Sequence, residues 1–150
     1  MTTAPLLAIE RILITLWVGS LWVAGLVVAP LLFAKLDDHA VAGTVAGSLF
    51  TITSYIGLAC ATVLLVFNGW QYRLPNRRAV LLLVMLVLIA AGQFVLAPQI
   101  NALRLQGLTE TARFGQLHGI ASVVFLVNCV LGLALVAMGQ QQGVQSRRSR

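Results

Sequence analysis

The chain has 150 residues, of which 59% are hydrophobic and 9% charged, and it carries a net charge of +6 from ten basic and four acidic side chains. Soluble domains carry about 25% charged residues, so a water-dispersed fold of this composition is excluded, and a single membrane domain over residues 1–150 is expected. The positive charges sit in short stretches between apolar runs rather than on one face with stacking or readout groups, which speaks for membrane topology and against nucleic-acid binding.

The first apolar run is Ile12–Phe33 (ILITLWVGSLWVAGLVVAPLLF). Its apolar core exceeds the roughly 7–15 residues of a signal peptide, and Glu10 and Arg11 precede it. It is expected to be a retained span. The second run, Val45–Trp70, is the most polar, with Thr51, Thr53, Ser54 and Thr62. The third is Ala79–Ala97 and the fourth Gln116–Met138, and none of the runs contains Asp, Glu, Lys or Arg. Each is near or above the roughly 20 residues that carry a helix across the hydrocarbon core. Alternating barrel strands are absent, and lipid admits little besides helices and closed barrels. The expected architecture is therefore all-α, with four transmembrane helices in an antiparallel bundle embedded in the lipid bilayer.

The loops set the orientation. Arg11, Arg73, Arg77, Arg78, Arg147, Arg148 and Arg150 fall on one side, and Lys35, Arg104 and Arg113 on the other. The richer side is expected to be cytoplasmic, which places both termini there. Trp70 and Tyr72 then mark the cytoplasmic end of the second span. In the long loop Pro98–Gly115, apolar Ile100, Leu103 and Leu108 alternate with Asn101, Arg104 and Gln106, as in a short helix lying at the interface. The Gln-, Ser- and Arg-rich tail from Gln140 is expected to be disordered.

An internal echo runs through the chain. VVAPLLFAKL ends the first run and VLAPQINALR the third, aligning Pro30 with Pro98; each is followed by a loop and a GxxxG, GTVAG at 43–47 and GQLHG at 115–119. Either a 2+2 repeat of helix hairpins or the recurring needs of helix packing accounts for it.

Small residues are the expected seams, because lipid offers no hydrophobic drive between helices and close backbone approach must supply the attraction. Gly43, Gly47 and Ser54 mark the second span, and Gly115, Gly119 and Ser122 the fourth. Packing inside the bundle is the expected role, with a homodimer seam as the alternative; Gly47→Leu and Gly119→Leu are both expected to ruin folding. Gly115, His118, Ser122, Phe125, Cys129, Gly132 and Val136 share one face of the fourth helix.

Chemistry-bearing groups are few. His118, in FGQLHG, is expected to hydrogen-bond a loop or neighbouring helix end. His118, His39 and Glu110 are the candidates for a metal site, and haem ligation by His118 is the other cofactor reading; no spacing signature supports either. Cys60 and Cys129 are apolar fillers or a soft-metal pair. Gln93 and Asn128 are expected to bridge helices. No catalytic constellation is present, and no ionisable residue lies in a span, which weakens a proton-coupled pump.

Three stretches, WVGSLWVAGLVVAPLLFAKL, AGTVAGSLF and RFGQLHGIASVVFLVN, resemble a bacterial four-helix membrane family of unknown function related to eukaryotic transmembrane protein 205. The motifs are Ala29, Pro30 and Phe33; Ala42, Gly43, Gly47, Leu49 and Phe50; and Arg113, Phe114, Gly115, Leu117, His118 and Gly119. The resemblance implies four spans in a bacterial inner membrane and no particular reaction. Copper-resistance D proteins and membrane protoporphyrinogen oxidases are similar in layout only; the second implies haem and ionisable groups in the spans, which this sequence lacks. The expected function is non-enzymatic, structural, accessory or small-solute handling, with no cofactor and with unknown protein partners; metal or haem handling through His118 is the alternative.

Overall fold

A computed structural model describes the backbone of residues 4–71 and 76–148, with side chains for 7–70 and 76–138. Every regular element among the described residues is helical. Helix α1 (Ala4–Trp22) passes through a π-helical segment, Val23–Val28, into α2 (Ala29–Lys35). Helix α3 (His39–Gln71) returns. Helix α4 (Arg77–Ala91) passes through a second π segment, Gly92–Leu96, into α5 (Ala97–Leu105), and α6 (Ala112–Arg148) completes the chain. Four stretches are long and apolar enough to cross a membrane: Leu7–Lys35, His39–Trp70, Arg77–Leu105 and Ala112–Met138. Most residues of each face outward, and the exposed ones include Leu16, Val27, Ile52, Val87 and Val123. Such an apolar exterior is stable only in lipid.

Both π segments have one cause. Proline has no N–H and crowds the carbonyl four residues before it. Immediately ahead of Pro30 and Pro98, the amide of Ala29 donates to the Ala24 carbonyl and that of Ala97 to the Gly92 carbonyl, five residues back. The widened turn relieves the clash and keeps the amide satisfied. The two devices lie 68 residues apart, the offset that aligns the two prolines.

The third span corrects an expectation. Pro98–Leu105 is no separate interfacial helix but a continuation of the span, because the π turn carries the helix through Pro98. It ends at Gly107, at φ +71° the one described residue with positive φ. The Gly107 amide donates to the Arg104 carbonyl (3.0 Å) and the Leu108 amide to the Leu103 carbonyl (2.9 Å), a Schellman closure. Gly107→Ala places a Cβ in the left-handed region and is expected to cost about 1–2 kcal/mol, seen as a lower melting temperature in detergent.

Asp38 Oδ1 starts α3 by accepting from the amides of Ala40 (2.8 Å) and Val41 (3.2 Å). Asn76 caps α4 through the Ala79 amide (2.9 Å) and donates to buried Asn68 (2.6 Å). Thr111 Oγ1 accepts from Phe114 at the start of α6 (3.3 Å). Tyr72, expected beside exposed Trp70, lies outside the described residues. The backbone of α6 continues to Arg148 where the composition suggests a disordered tail; the side chains beyond Met138 lie outside the described residues.

The helices form a ring in which α1 packs on α3 and α6, and α4 packs on the same two. The core fills only one half of it. Ile14, Trp17, Val18 and Leu21 of α1 meet Cys60, Ala61 and Leu64 of α3; Leu82, Met85 and Ile89 of α4 and Cys129 and Leu135 of α6 close the cluster. Trp17 reaches the α3 backbone because position 57 is glycine: a Cβ there would lie 2.7 Å from Trp17 Nε1. Gly132 likewise admits Val18 and Met85. At the outer limit of this half, the carboxylate of Glu10 and the guanidinium of Arg78 form an ion pair with both side chains nearly buried.

Candidate functional site

Beyond the core the ring opens. In the half containing the π segments, close backbone contacts run mainly within each hairpin: α2 lies on α3, and α5 lies on α6. In this half spans one and two form one arm and spans three and four the other. Between the arms is a cavity of about 600 Å³, within the size range of small-molecule sites.

Residue choice explains the opening. Where the core half presents Trp17, Leu82 and Met85, the facing positions here are Gly25, Ala46, Gly47, Gly92, Ala121 and Ser122. Two contacts cross it, and a further pair, Tyr55 with Phe94, joins the arms on the exposed surface. Phe125 of α6 leans over Gly25, filling the place a side chain would take, and meets Phe50 of α3 edge-on with ring centres 5.0 Å apart. Tyr55 and Phe94 meet edge-on at 6.4 Å. Arg104 of α5 reaches α3 at Gly43 and Gly47.

Arg104 was not singled out by sequence reasoning. A Cβ at Gly47 would lie 3.1 Å from Arg104 Nη1, and one at Gly43 would lie 3.6 Å from Nη2, so the guanidinium rests on the GxxxG of α3. That motif therefore seats a cation instead of a neighbouring helix; the tight contact of α3 runs through buried Ala42 and Ala46 beside it. Arg104 Nη1 donates to Asn101 Oδ1 (3.2 Å), and Arg104 makes no ion pair among the described residues. The only sequence signal was a basic residue nearly two turns beyond a proline at a span end.

The polar groups at depth do not bridge helices as expected. Asn128, 1% exposed, donates to the Val124 carbonyl of its own helix (3.2 Å), and its Oδ1 has no partner. The indole N–H of Trp22 is also buried without a partner. Both residues line the cavity, as does half-buried Gln93. Buried polar groups left unpaired cost roughly 1–3 kcal/mol each, so a donor and an acceptor at one cavity are groups that a water or a ligand there would satisfy.

His118 lines the mouth of the cavity but is exposed, and it makes no side-chain hydrogen bond to a loop or a neighbouring helix. It stacks flat on Phe114 one turn earlier (centroids 5.9 Å, planes 4° apart). His39 opens α3 against Phe33 at 6.1 Å, and Glu110 is exposed in the turn before α6. Among the described residues no three His, Cys, Asp or Glu side chains come together as a metal-ligand group. Cys60 and Cys129 are buried free thiols of the apolar core.

The glycine seam on α6 needs correcting. Nothing within 4 Å would meet a Cβ at Gly115 or Gly119, so neither packs within the bundle. They lie where the arms have separated. Ser122 is exposed and bonds back to the His118 carbonyl (2.9 Å), while Ser54 is half-buried; both line the cavity. The shared face of α6 is continuous but divides in function, with cavity wall as far as Cys129 and core from there through Gly132 to Leu135.

Comparison with known proteins places residues 12–109 in the DUF4149 family, described as a domain of unknown function. The match covers more than half of the chain, and the protein belongs to this family. It takes in both π segments, Gly43, Gly47 and Arg104, and stops short of FGQLHG. No curated protein and no solved structure matches.

Proposed function

For this member of an uncharacterised membrane family, we propose a non-enzymatic role in which the cavity between the two hairpins binds a small solute within the membrane. The observation that carries the reading is the pairing of an open, glycine-lined space with the unpartnered buried Asn128 Oδ1 and Trp22 N–H at its wall. The lining contains no carboxylate, so the paired acids of general acid–base work are missing from it. A closed core at one end and a parted pair of hairpins at the other suit a container or carrier better than a spacer. The two proline-linked π segments support a 2+2 hairpin repeat with the cavity at its interface, where repeat-built transporters place their substrates.

We place the protein in a bacterial inner membrane with both termini cytoplasmic, from the seven-to-three arginine and lysine asymmetry, so that the cavity faces the periplasmic leaflet. Kinship with transmembrane protein 205 rests on the sequence motifs at 29–33, 42–50 and 113–119. A periplasm-only reporter is expected to be active when fused after Asp38 and inactive after Arg150; the reverse would invert the orientation.

The binding reading is tested by native mass spectrometry of protein purified in a neutral detergent. Wild type is expected to carry a small molecule, and Ala121→Trp, which projects an indole into the cavity, to lose it while remaining folded. Wild type that is bare, or an occupant that persists in Ala121→Trp, overturns it.

A further inference from the structure

The cavity is electrically one-sided. Its lining includes one fixed cation, Arg104, together with His118 and Asn101 near the mouth, and no acid. Toward the core the walls carry no charge, and Phe50, Phe125 and Ile89 line them beside the neutral Asn128 and Trp22. An arginine at the end of a membrane span ordinarily extends its stem to put the guanidinium among lipid headgroups. Here it turns inward instead and lies on α3, close against the bare backbone at 43 and 47, where a Cβ at 47 would crowd it at 3.1 Å. Five N–H donors sit on that guanidinium, and among the described residues a single acceptor, Asn101 Oδ1, meets them. A partly buried cation with unspent donors facing an apolar space has the complement of an amphiphile's headgroup.

We propose that the occupant is a single-chain anionic amphiphile, its carboxylate or phosphate oxygens on Arg104 and its hydrocarbon chain lying along the Phe50–Phe125 pair. This rests on the binding function proposed above and specifies its ligand. The planar fork of arginine pairs two oxygens of a carboxylate or phosphate at once, which a neutral headgroup cannot offer. The depth fits as well. Arg104 touches α3 at Gly43 and Gly47, and Phe50 lies roughly 5–10 Å farther along that helix at 1.5 Å per residue. A chain of several methylenes below the headgroup therefore lies level with the Phe50–Phe125 pair. The two parted sides give lateral entry from the bilayer, where exposed Leu26 and Leu126 belong to the lining.

The test is binding of a fluorescent long-chain fatty acid to the purified full-length protein, beside the same molecule as its methyl ester. Wild type is expected to bind the acid at least tenfold more tightly than the ester, because a charge-assisted hydrogen bond contributes a factor of about 10 or more. Arg104→Gln is expected to lose that preference and to bind both as wild type binds the ester; Arg104→Lys is expected to retain part of it, keeping charge without the fork. Displacement of the bound acid by a lysophospholipid bearing an anionic phosphate would identify phosphate as an accepted headgroup, and failure to displace would identify the carboxylate. Equal affinity of wild type for acid and ester overturns the anionic assignment, a result that needs no variant to fold. If the ester also binds and Ala121→Trp abolishes that binding, the cavity is still a binding site and only the ligand class has failed. If neither molecule binds and the purified protein is bare, the binding function fails with it.

Discussion

Gly57→Leu is expected to abolish the folded protein, while Gly119→Leu leaves it intact. At position 57 even a Cβ would meet Trp17 Nε1 at 2.7 Å and Ile89 Cδ1 at 3.0 Å, and Trp17 is wholly buried. The ring cannot withdraw without opening the contact between α1 and α3, on which the core half depends. Overpacking a tight core costs about 1–3 kcal/mol per modest enlargement; Gly57→Ala is expected to fall in that range, and Gly57→Leu well beyond it. At Gly119 nothing lies within 4 Å. Size-exclusion profiles of the detergent-extracted variants measure this directly. A monodisperse Gly57→Leu peak beside an aggregated Gly119→Leu would show that the seams have been assigned to the wrong half of the bundle.

The second large effect is expected at the ion pair of Glu10 and Arg78. Removing one member of a buried pair leaves an uncompensated charge, at a cost of about 3–5 kcal/mol. With side chains 10% and 11% exposed and the pair at an end of the bundle, Glu10→Ala is expected near the lower figure. Replacing both residues by methionine is expected to recover most of the loss, because two packed apolar side chains need no mutual compensation. Melting temperatures of wild type, both single variants and the double variant provide the measurement. A double variant as unstable as Glu10→Ala would mean that the stability comes from something other than charge pairing. Beside the pair, Asn76 caps α4 and reaches buried Asn68, so this end of the bundle is tied by polar contacts where the other is loosely held.

Much of the architecture is written in composition. Four uncharged apolar runs demand four helices, and the physics of lipid leaves no other option for them. The expected boundaries are shorter than the helices, because the windows stop at polar residues that a helix readily carries: His39 and Thr44 before the second span, and Asn101 and Arg104 after the third. The interfacial reading of 98–108 failed for a local reason. Proline normally ends or bends a helix, and nothing in the letters VLAP shows that a π turn will absorb it. The recurrence of AP at positions 29 and 97 was visible; its structural meaning was not.

The candidate site was less legible. Spacing put Gly43, Gly47, Gly115 and Gly119 in seams, yet spacing does not say what faces a glycine. In α3 it is an arginine from a distant helix, and in α6 it is open space. Charge counting recorded Arg104 as a topology marker, because its inward turn depends on the bend of its own span and on the bareness of another. Glu10 and Arg78 were likewise tallied as flanking charges on two different segments. Each miss is a contact between residues far apart in the chain, which local pattern does not encode. By contrast, the common face of α6 through Phe125 and Cys129 follows from helical period alone, and it is the face that meets both the cavity and the core.

The central claim is that the two hairpins join at the Glu10–Arg78 end and part at the other around a space that holds a small molecule. A density map of the full-length protein in lipid nanodiscs, at a resolution that shows side chains, tests it most directly. The account predicts elongated non-protein density that runs along the Phe50–Phe125 pair and reaches the Arg104 guanidinium, with Gly115 and Gly119 clear of α3. A space closed by side chains of the two hairpins beyond the contacts of Phe125 and Arg104, with no density but protein, would contradict it.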